Sequence, residues 1–225
     1  MHTMASGRMA RVLLAAWLLA GSLLAAMPAR AETLIQPGAP INGCTMNFVF
    51  TDDSGAQYFG TAGHCVSGVG AGVGLGETRY GTVVWHEFDE RIVPNDFALV
   101  RIDQGLHALV DPTMRFWGGP TGVTHPADGD LGDLIGYHGY GIPFGSIGPA
   151  RARVGVLQND NAQEYTSVSP ATFGDSGGPV LLLKTGQALG IATRFGGSGP
   201  TVAYVLERMR AQFPSLELVT APFQQ

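Results

Sequence analysis

Charge is scarce in this chain. Of its 225 residues 14% are charged, and 18 acids outnumber 13 Lys and Arg. A surface of that kind offers no basic face for nucleic acid or for an anionic membrane. Cysteine is scarcer still: Cys44 and Cys65 are the two in the chain. Without convincing partner histidines they make a poor zinc site. The glycine spacing of Gly68–Gly76 is loosely like that of a phosphate-binding loop, but no lysine follows and no helix is evident. It reads as a surface loop. There is no tandem repeat, no low-complexity segment and no cysteine near residue 31 that would mark a lipoprotein. Neither metal nor organic cofactor is expected.

What the chain does have begins with an export signal. Arg8 and Arg11 precede a 16-residue apolar run, Val12–Met27, followed by Pro28-Ala29-Arg30-Ala31. A basic head, an apolar middle and an A-x-A site form the pattern of a secretory signal peptide, residues 1–31, cleaved after Ala31. The alternative is an uncleaved anchor, but the run falls short of the roughly 20 residues that span a bilayer. The remaining chain loses three arginines and is more acidic than the whole, whose net charge is −5. In an exported protein the cysteine pair reads first as a disulfide, with two free buried thiols as the alternative. Closing such a loop stabilises a fold by roughly 3 kcal/mol. Secretion to the periplasm or the extracellular space is expected, with no stable membrane association once the signal is removed.

Residues 32–43 form a polar, Pro/Gly-containing lead-in, too short for a folding pro-domain. Thereafter the 33 glycines and sparse charge fit many short strands joined by tight turns. Met46–Phe50 and Gln57–Thr61 flank an Asp-Ser-Gly turn and predict a hairpin. It leads into Thr61-Ala62-Gly63-His64-Cys65. Strands are also predicted at 81–85, 97–102, 131–137, 150–157, 164–168, 179–183 and 188–193, with a crossover near 111–127. Residues 136–141 and 143–148 are turn-rich. Thr201–Val205 is a further apolar run, and Leu206, Met209, Arg210 and Phe213 fit a short amphipathic helix stopped by Pro214.

Phe173-Gly174-Asp175-Ser176-Gly177-Gly178-Pro179 is the most informative stretch. Flanking glycines tolerate backbone angles that other residues resist, and they let a substrate backbone approach. Such a turn presents one hydroxyl and can converge the N–H groups of Gly174 and Ser176 on an oxyanion. A shorter Gly-x-Ser-Gly would read as a surface turn; six defined residues in a row are harder to dismiss. Serine needs a base, and His64 stands out among six histidines because it follows a strand end beside a cysteine that would pin its backbone. Asp96, at the mouth of the strand Phe97–Ile102, is the candidate to accept the Nδ1–H of His64. Asp89, Asp103 and Asp111 are its rivals, and a turn residue is the ordinary role of an Asp before a strand.

Thr-Ala-Gly-His64-Cys, Asn-Asp96-Phe-Ala-Leu-Val and Gly-Asp-Ser176-Gly-Gly-Pro, in that order, resemble the trypsin/chymotrypsin family of serine endopeptidases, and most of all its compact secreted bacterial branch. The resemblance runs from about Cys44 to Tyr204. It implies an all-β fold of two antiparallel six-stranded β-barrels with a short C-terminal helix. Residues 44–120 would form the first barrel, carrying His64 and Asp96, and residues 121–225 the second, carrying Ser176. It further implies a Ser176–His64–Asp96 triad acting through an acyl-enzyme, an oxyanion site at Gly174 and Ser176, a Cys44–Cys65 disulfide bracing the histidine loop, protein or peptide substrates and a monomer.

The departures from the family concern activation and specificity. The lead-in lacks the Ile-Val-Gly-Gly-type start whose freed amine pairs with the acid before the serine in animal members, so Asp175 needs another partner, with Arg194 and Arg153 as candidates. The base of the substrate pocket falls near Pro170, beside Ser169 and Ala171, and its opposite wall at Thr193, Arg194 and Phe195. No acid stands at that base, which argues against Arg/Lys preference. Arg194 and Phe195 either narrow the pocket or point outward. Two other functions are open: a non-catalytic homologue serving as a binding or adhesion module, and a narrow self-processing protease or esterase. Activity that needs His64 neutral is expected to fall on the acidic side.

Overall fold

The computed structural model describes residues 35–125, 128–142 and 151–224, all within one compact unit, Thr33–Gln225. The predicted signal peptide, the end of the crossover at 126–127 and the turn at 143–148 lie outside the described residues.

A two-stranded ladder opens the fold: β1 (Pro40–Ile41) pairs with β2 (Cys44–Thr45). The first large sheet holds β3 (Val49–Thr51), β4 (Gln57–Thr61), β5 (Gly72–Leu75), β6 (Thr78–Phe88), β7 (Asp96–Ile102) and β14 (Glu217–Leu218). Its six strands run β14-β3-β4-β7-β6-β5, each antiparallel to the next. The second holds β8 (Leu134–His138), β9 (Ala152–Asp160), β10 (Glu164–Val168), β11 (Pro179–Leu182), β12 (Gln187–Ile191) and β13 (Gly199–Pro200). Its order is β12-β11-β8-β9-β10-β13, and a bridge from Gly190 to Thr201 joins the two ends. Closing a sheet in this way removes its exposed edges. Two six-stranded antiparallel sheets and one short C-terminal helix, α1 (Val202–Arg210), make up the expected all-β architecture.

The apolar run 97–102 explains how the halves meet. Strand β7 is buried on both faces. Ala98, Val100 and Ile102 pack inside the first sheet with Phe59 and Val83. Phe97 and Leu99 point the other way, into a core shared with Ile135, Tyr137 and Leu181 of the second. Alternation along one strand thus feeds two cores, and each fully buried Phe or Leu contributes roughly 1.5–3 kcal/mol.

Three local readings change. The lead-in is part of the fold, because Ile35 and Ala39 are buried in the first core. The Gly68–Gly76 loop contains strand β5, paired at the sheet edge. A Cβ on Gly74 would lie 2.0 Å from the Thr78 carbonyl oxygen, so glycine permits a close approach rather than merely marking a turn. The terminal helix begins at Val202, earlier than periodicity placed it. The Thr201 hydroxyl caps it by accepting from Tyr204 N–H. Val202, Val205, Leu206 and Met209 are its buried residues, an i, i+3, i+4, i+7 stripe that overrides the β preference of a Val-rich start.

Candidate active site

His64 sits on a 3-10 turn, Gly63–Cys65, directly after β4. The turn presses on β6 so closely that a Cβ at Gly63 would come 2.2 Å from the Glu87 carbonyl oxygen. His86 Nε2 donates to Gly63 O at 3.1 Å, and the Cys44–Cys65 disulfide, with Cα atoms 6.2 Å apart, fastens the other end. Cys44, His64 and Cys65 are the one cluster of metal-type donors among the described residues, and its sulfurs are bonded to each other.

Asp96, the first residue of β7, is 7% exposed and reaches His64 twice. Oδ1 accepts from the His64 backbone N–H at 3.0 Å, and Oδ2 lies 2.8 Å from Nδ1. One carboxylate therefore fixes both the backbone and the ring of the histidine, and it favours the tautomer that leaves Nε2 as the acceptor. The rival acids are engaged elsewhere: Asp89 with Arg91, Asp103 with Arg79, and Asp111 with Thr113 N–H.

The serine turn consumes its amides in a pattern that leaves two over. Asp175 N–H donates to Thr172 O, Gly177 N–H to Ala192 O and Gly178 N–H to Asp175 O. Among the described residues, the N–H groups of Gly174 and Ser176 make no hydrogen bond. Gly174 and Gly177 have φ of 93° and 88°, the left-handed region where glycine is favoured. At Gly177 a Cβ would also lie 2.3 Å from Thr45 O.

Asp175 is buried, and its partner is Arg153. Their side chains are 2% and 0% exposed and meet at 2.7 Å. Oδ1 also accepts from Gly141 N–H at 2.8 Å, and Oδ2 from Thr172 N–H at 2.7 Å. Arg153 reaches the Ile142 carbonyl with its other terminal nitrogen and lies over the Tyr137 ring. Burial pushes the Tyr137 hydroxyl up, so it stays a neutral phenol. The other candidate, Arg194, is exposed and donates to Glu90 O. The carboxylate is thus answered by the second sheet itself.

Several contributors carry no motif. Thr45 N–H donates to Ser176 O at 2.8 Å, and its hydroxyl donates to Gly174 O at 2.7 Å. Asn47 Nδ2 donates to Gly177 O at 3.0 Å. Gly139 and Gly141 leave room for the buried carboxylate: a Cβ on either would fall 2.2 or 2.6 Å from Asp175 Oδ1. The turn-rich stretch 136–141 was the available signal for that cradle.

His64, Asp96 and Ser176 open onto one cavity of about 550 Å³. Ala171, Thr193, Arg194 and Phe195 line it as well, together with Phe173. Pro170, half-buried, is not among its lining residues.

The backbone matches that of known proteins. Thermobifida fusca Protease A aligns with 83% of this chain and 98% of its own, at 25% identity and a TM-score of 0.58. The chain has the fold of the bacterial chymotrypsin-like serine proteases. Nocardiopsis protease covers 82% of this chain and 98% of its own (22% identity, TM-score 0.57). Cellulomonas bogoriensis chymotrypsin covers 83% and 98% (19% identity, TM-score 0.54). No protein-family model and no curated protein sequence matches the chain. Within this protease fold, the described residues include no helix long and apolar enough to cross a membrane.

Proposed function

We propose that the chain is a secreted serine endopeptidase that hydrolyses peptide bonds through an acyl-enzyme. In this reading residues 44–120 supply the base and its orienter, and residues 121–225 supply the nucleophile. Ser176 Oγ attacks the carbonyl carbon of a peptide while His64 Nε2 takes its proton. Gly174 and Ser176 N–H groups receive the negative oxygen, where loss of one such donor costs about 10²–10³ in rate. His64 returns the proton to the departing amine. Water then attacks the ester by the same route, giving up its proton to His64, and Ser176 recovers it as the acid leaves. Asp96 holds the imidazole in register and stabilises its protonated form.

The observation that carries the reading is a histidine clasped twice by Asp96 on the same cavity as a serine flanked by unspent amides. The disulfide and the bacterial protease fold support an extracellular or periplasmic site of action. Protein or peptide substrates and a monomeric state belong to the same proposal.

A fluorophosphonate probe tests it. The purified protein should label at Ser176. Ser176→Ala should abolish labelling and lower kcat by about 10⁶-fold, and Asp96→Asn should lower it by about 10⁴-fold. An unlabelled parent, or labelling that survives Ser176→Ala, overturns the assignment.

A further inference from the structure

We infer that Phe173 and Phe195 bridge the mouth of the primary side-chain pocket, so that the enzyme cleaves after residues with small side chains. The inference rests on the peptidase reading and names what that site accepts. These are the two most exposed phenylalanines among the described residues, at 73% and 65%. Exposed apolar surface that gathers at a cavity rim marks a place of contact.

The two rings come from separate segments that both line the cavity. Phe173 precedes the oxyanion glycine in the serine turn, and Phe195 follows Thr193 and Arg194 in the other segment. They meet edge to face, with centroids 4.6 Å apart and planes at 88°. That is a favoured aromatic geometry in full contact, and a side chain cannot pass between rings so placed.

Next to these residues in sequence, the two segments are stitched together. Ser167 Oγ and Ser169 Oγ each donate to Gly196 O at 2.8 Å. A Cβ on Gly197 would lie 2.2 Å from Ser169 Oγ, so the chains there are in direct contact. On the segments that carry the two rings the other lining residues next to them are short: Ala171, Thr172, Ala192 and Thr193. Arg194, the cation on the same lining, donates to Glu90 O. An alanine-sized group therefore fits without displacing anything, whereas a leucine or phenylalanine has to part the rings. Size selection of this kind in apolar pockets is typically about 10–200-fold per methylene.

The test uses the full secreted chain, titrated first with a fluorophosphonate to count active sites. Tetrapeptide substrates differing only at the residue before the cut (Ala, Ser, Leu, Phe, Arg, Glu) are then compared by kcat/KM. The parent should favour Ala over Leu and Phe by at least about 10-fold. In a Phe173→Ala/Phe195→Ala double variant the Leu-to-Ala ratio should rise by about 10-fold or more. A labelled parent that prefers Leu, Phe or a charged residue overturns the inference alone, as does a double variant whose ratio is unmoved. An unlabelled parent overturns the peptidase reading and this inference with it. Should the double variant not fold, the parent's own profile decides.

Discussion

Replacing Arg153 tests whether the serine turn is built from inside the second sheet. The guanidinium and Asp175 meet at 2.7 Å with side chains 0% and 2% exposed. Taking away one member of a buried pair leaves an uncompensated charge, at a cost of about 3–5 kcal/mol. Against a typical domain stability of about 5–15 kcal/mol that is a large fraction. Arg153→Met keeps most of the stem and removes the charge, so the loss isolates the electrostatic part. Gly141 N–H and Thr172 N–H still donate to the carboxylate, which sets the expectation near 3 kcal/mol rather than 5. Arg153→Lys should lose less: one ammonium restores the charge but cannot serve both Asp175 and Ile142 O as the fork does. Asp175→Asn paired with Arg153→Met closes a double-mutant cycle. Coupling of about 2 kcal/mol is expected, because the second change removes the orphaned charge left by the first. Urea unfolding gives the free energies, and fluorophosphonate labelling gives the state of the turn, which should react more slowly in Arg153→Met. A loss below about 1 kcal/mol, or costs that simply add, would refute the reasoning.

Two further predictions use other parts of the fold. Burial and, secondarily, the nearby Asp128 push Asp160 up to about 6, and its Oδ2 has no hydrogen-bond partner among the described residues. A carboxyl raised in the folded state gives stability that is whole below its unfolded value near 3.9 and is lost as pH rises through about 6. Asp160→Asn should therefore raise stability at pH 8 by about 1–2 kcal/mol, allowing for partial exposure, and by nothing at pH 4; calorimetry at the two pH values reads this, and an equal gain at both counts against it. Thr45→Val preserves shape but leaves Gly174 O and Tyr140 N–H without the hydroxyl they share at 2.7 and 2.9 Å. It should cost about 1–3 kcal/mol and slow fluorophosphonate labelling; an unchanged labelling rate would show that Thr45 supports the fold without positioning Gly174.

The sequence is legible wherever residue type alone limits the possibilities. Glycines on either side of Ser176 announce positive φ, and both Gly174 and Gly177 have it. The run 97–102 announces a buried strand, and the three motif residues do line one cavity. What stays illegible depends on a partner from elsewhere in the chain. Arg153 and Arg194 are the same residue type, and only burial tells the ion-paired one from the exposed one. Thr45 and Asn47 look like ordinary strand polar residues until the serine turn, roughly 130 positions later, is laid against them. The glycines of β5 look like a loop because close backbone approach and flexibility favour the same residue.

The position of Thr45 beside Cys44 bears on how two separate sheets hold one site in place. The shared core of Phe97, Leu99, Ile135 and Leu181 supplies attraction, but apolar packing is non-directional and does not fix a register between sheets by itself. Directional contacts are required, and those at the histidine and serine turns converge on one dipeptide. Cys44 is bonded to Cys65, next in sequence to His64. Thr45 bonds both Ser176 O and Gly174 O, and its own carbonyl accepts from Thr61 Oγ1 at the start of the histidine loop. Asn47 adds a bond to Gly177 O. The turn that carries the histidine and the turn that carries the serine are therefore referenced to the same two residues, and they also touch directly where Cys65 Sγ lies 3.8 Å from Ser176 O. Tolerances then accumulate over one strand, β2, rather than over the whole interface. That arrangement leaves the cavity open while holding the two turns that line it.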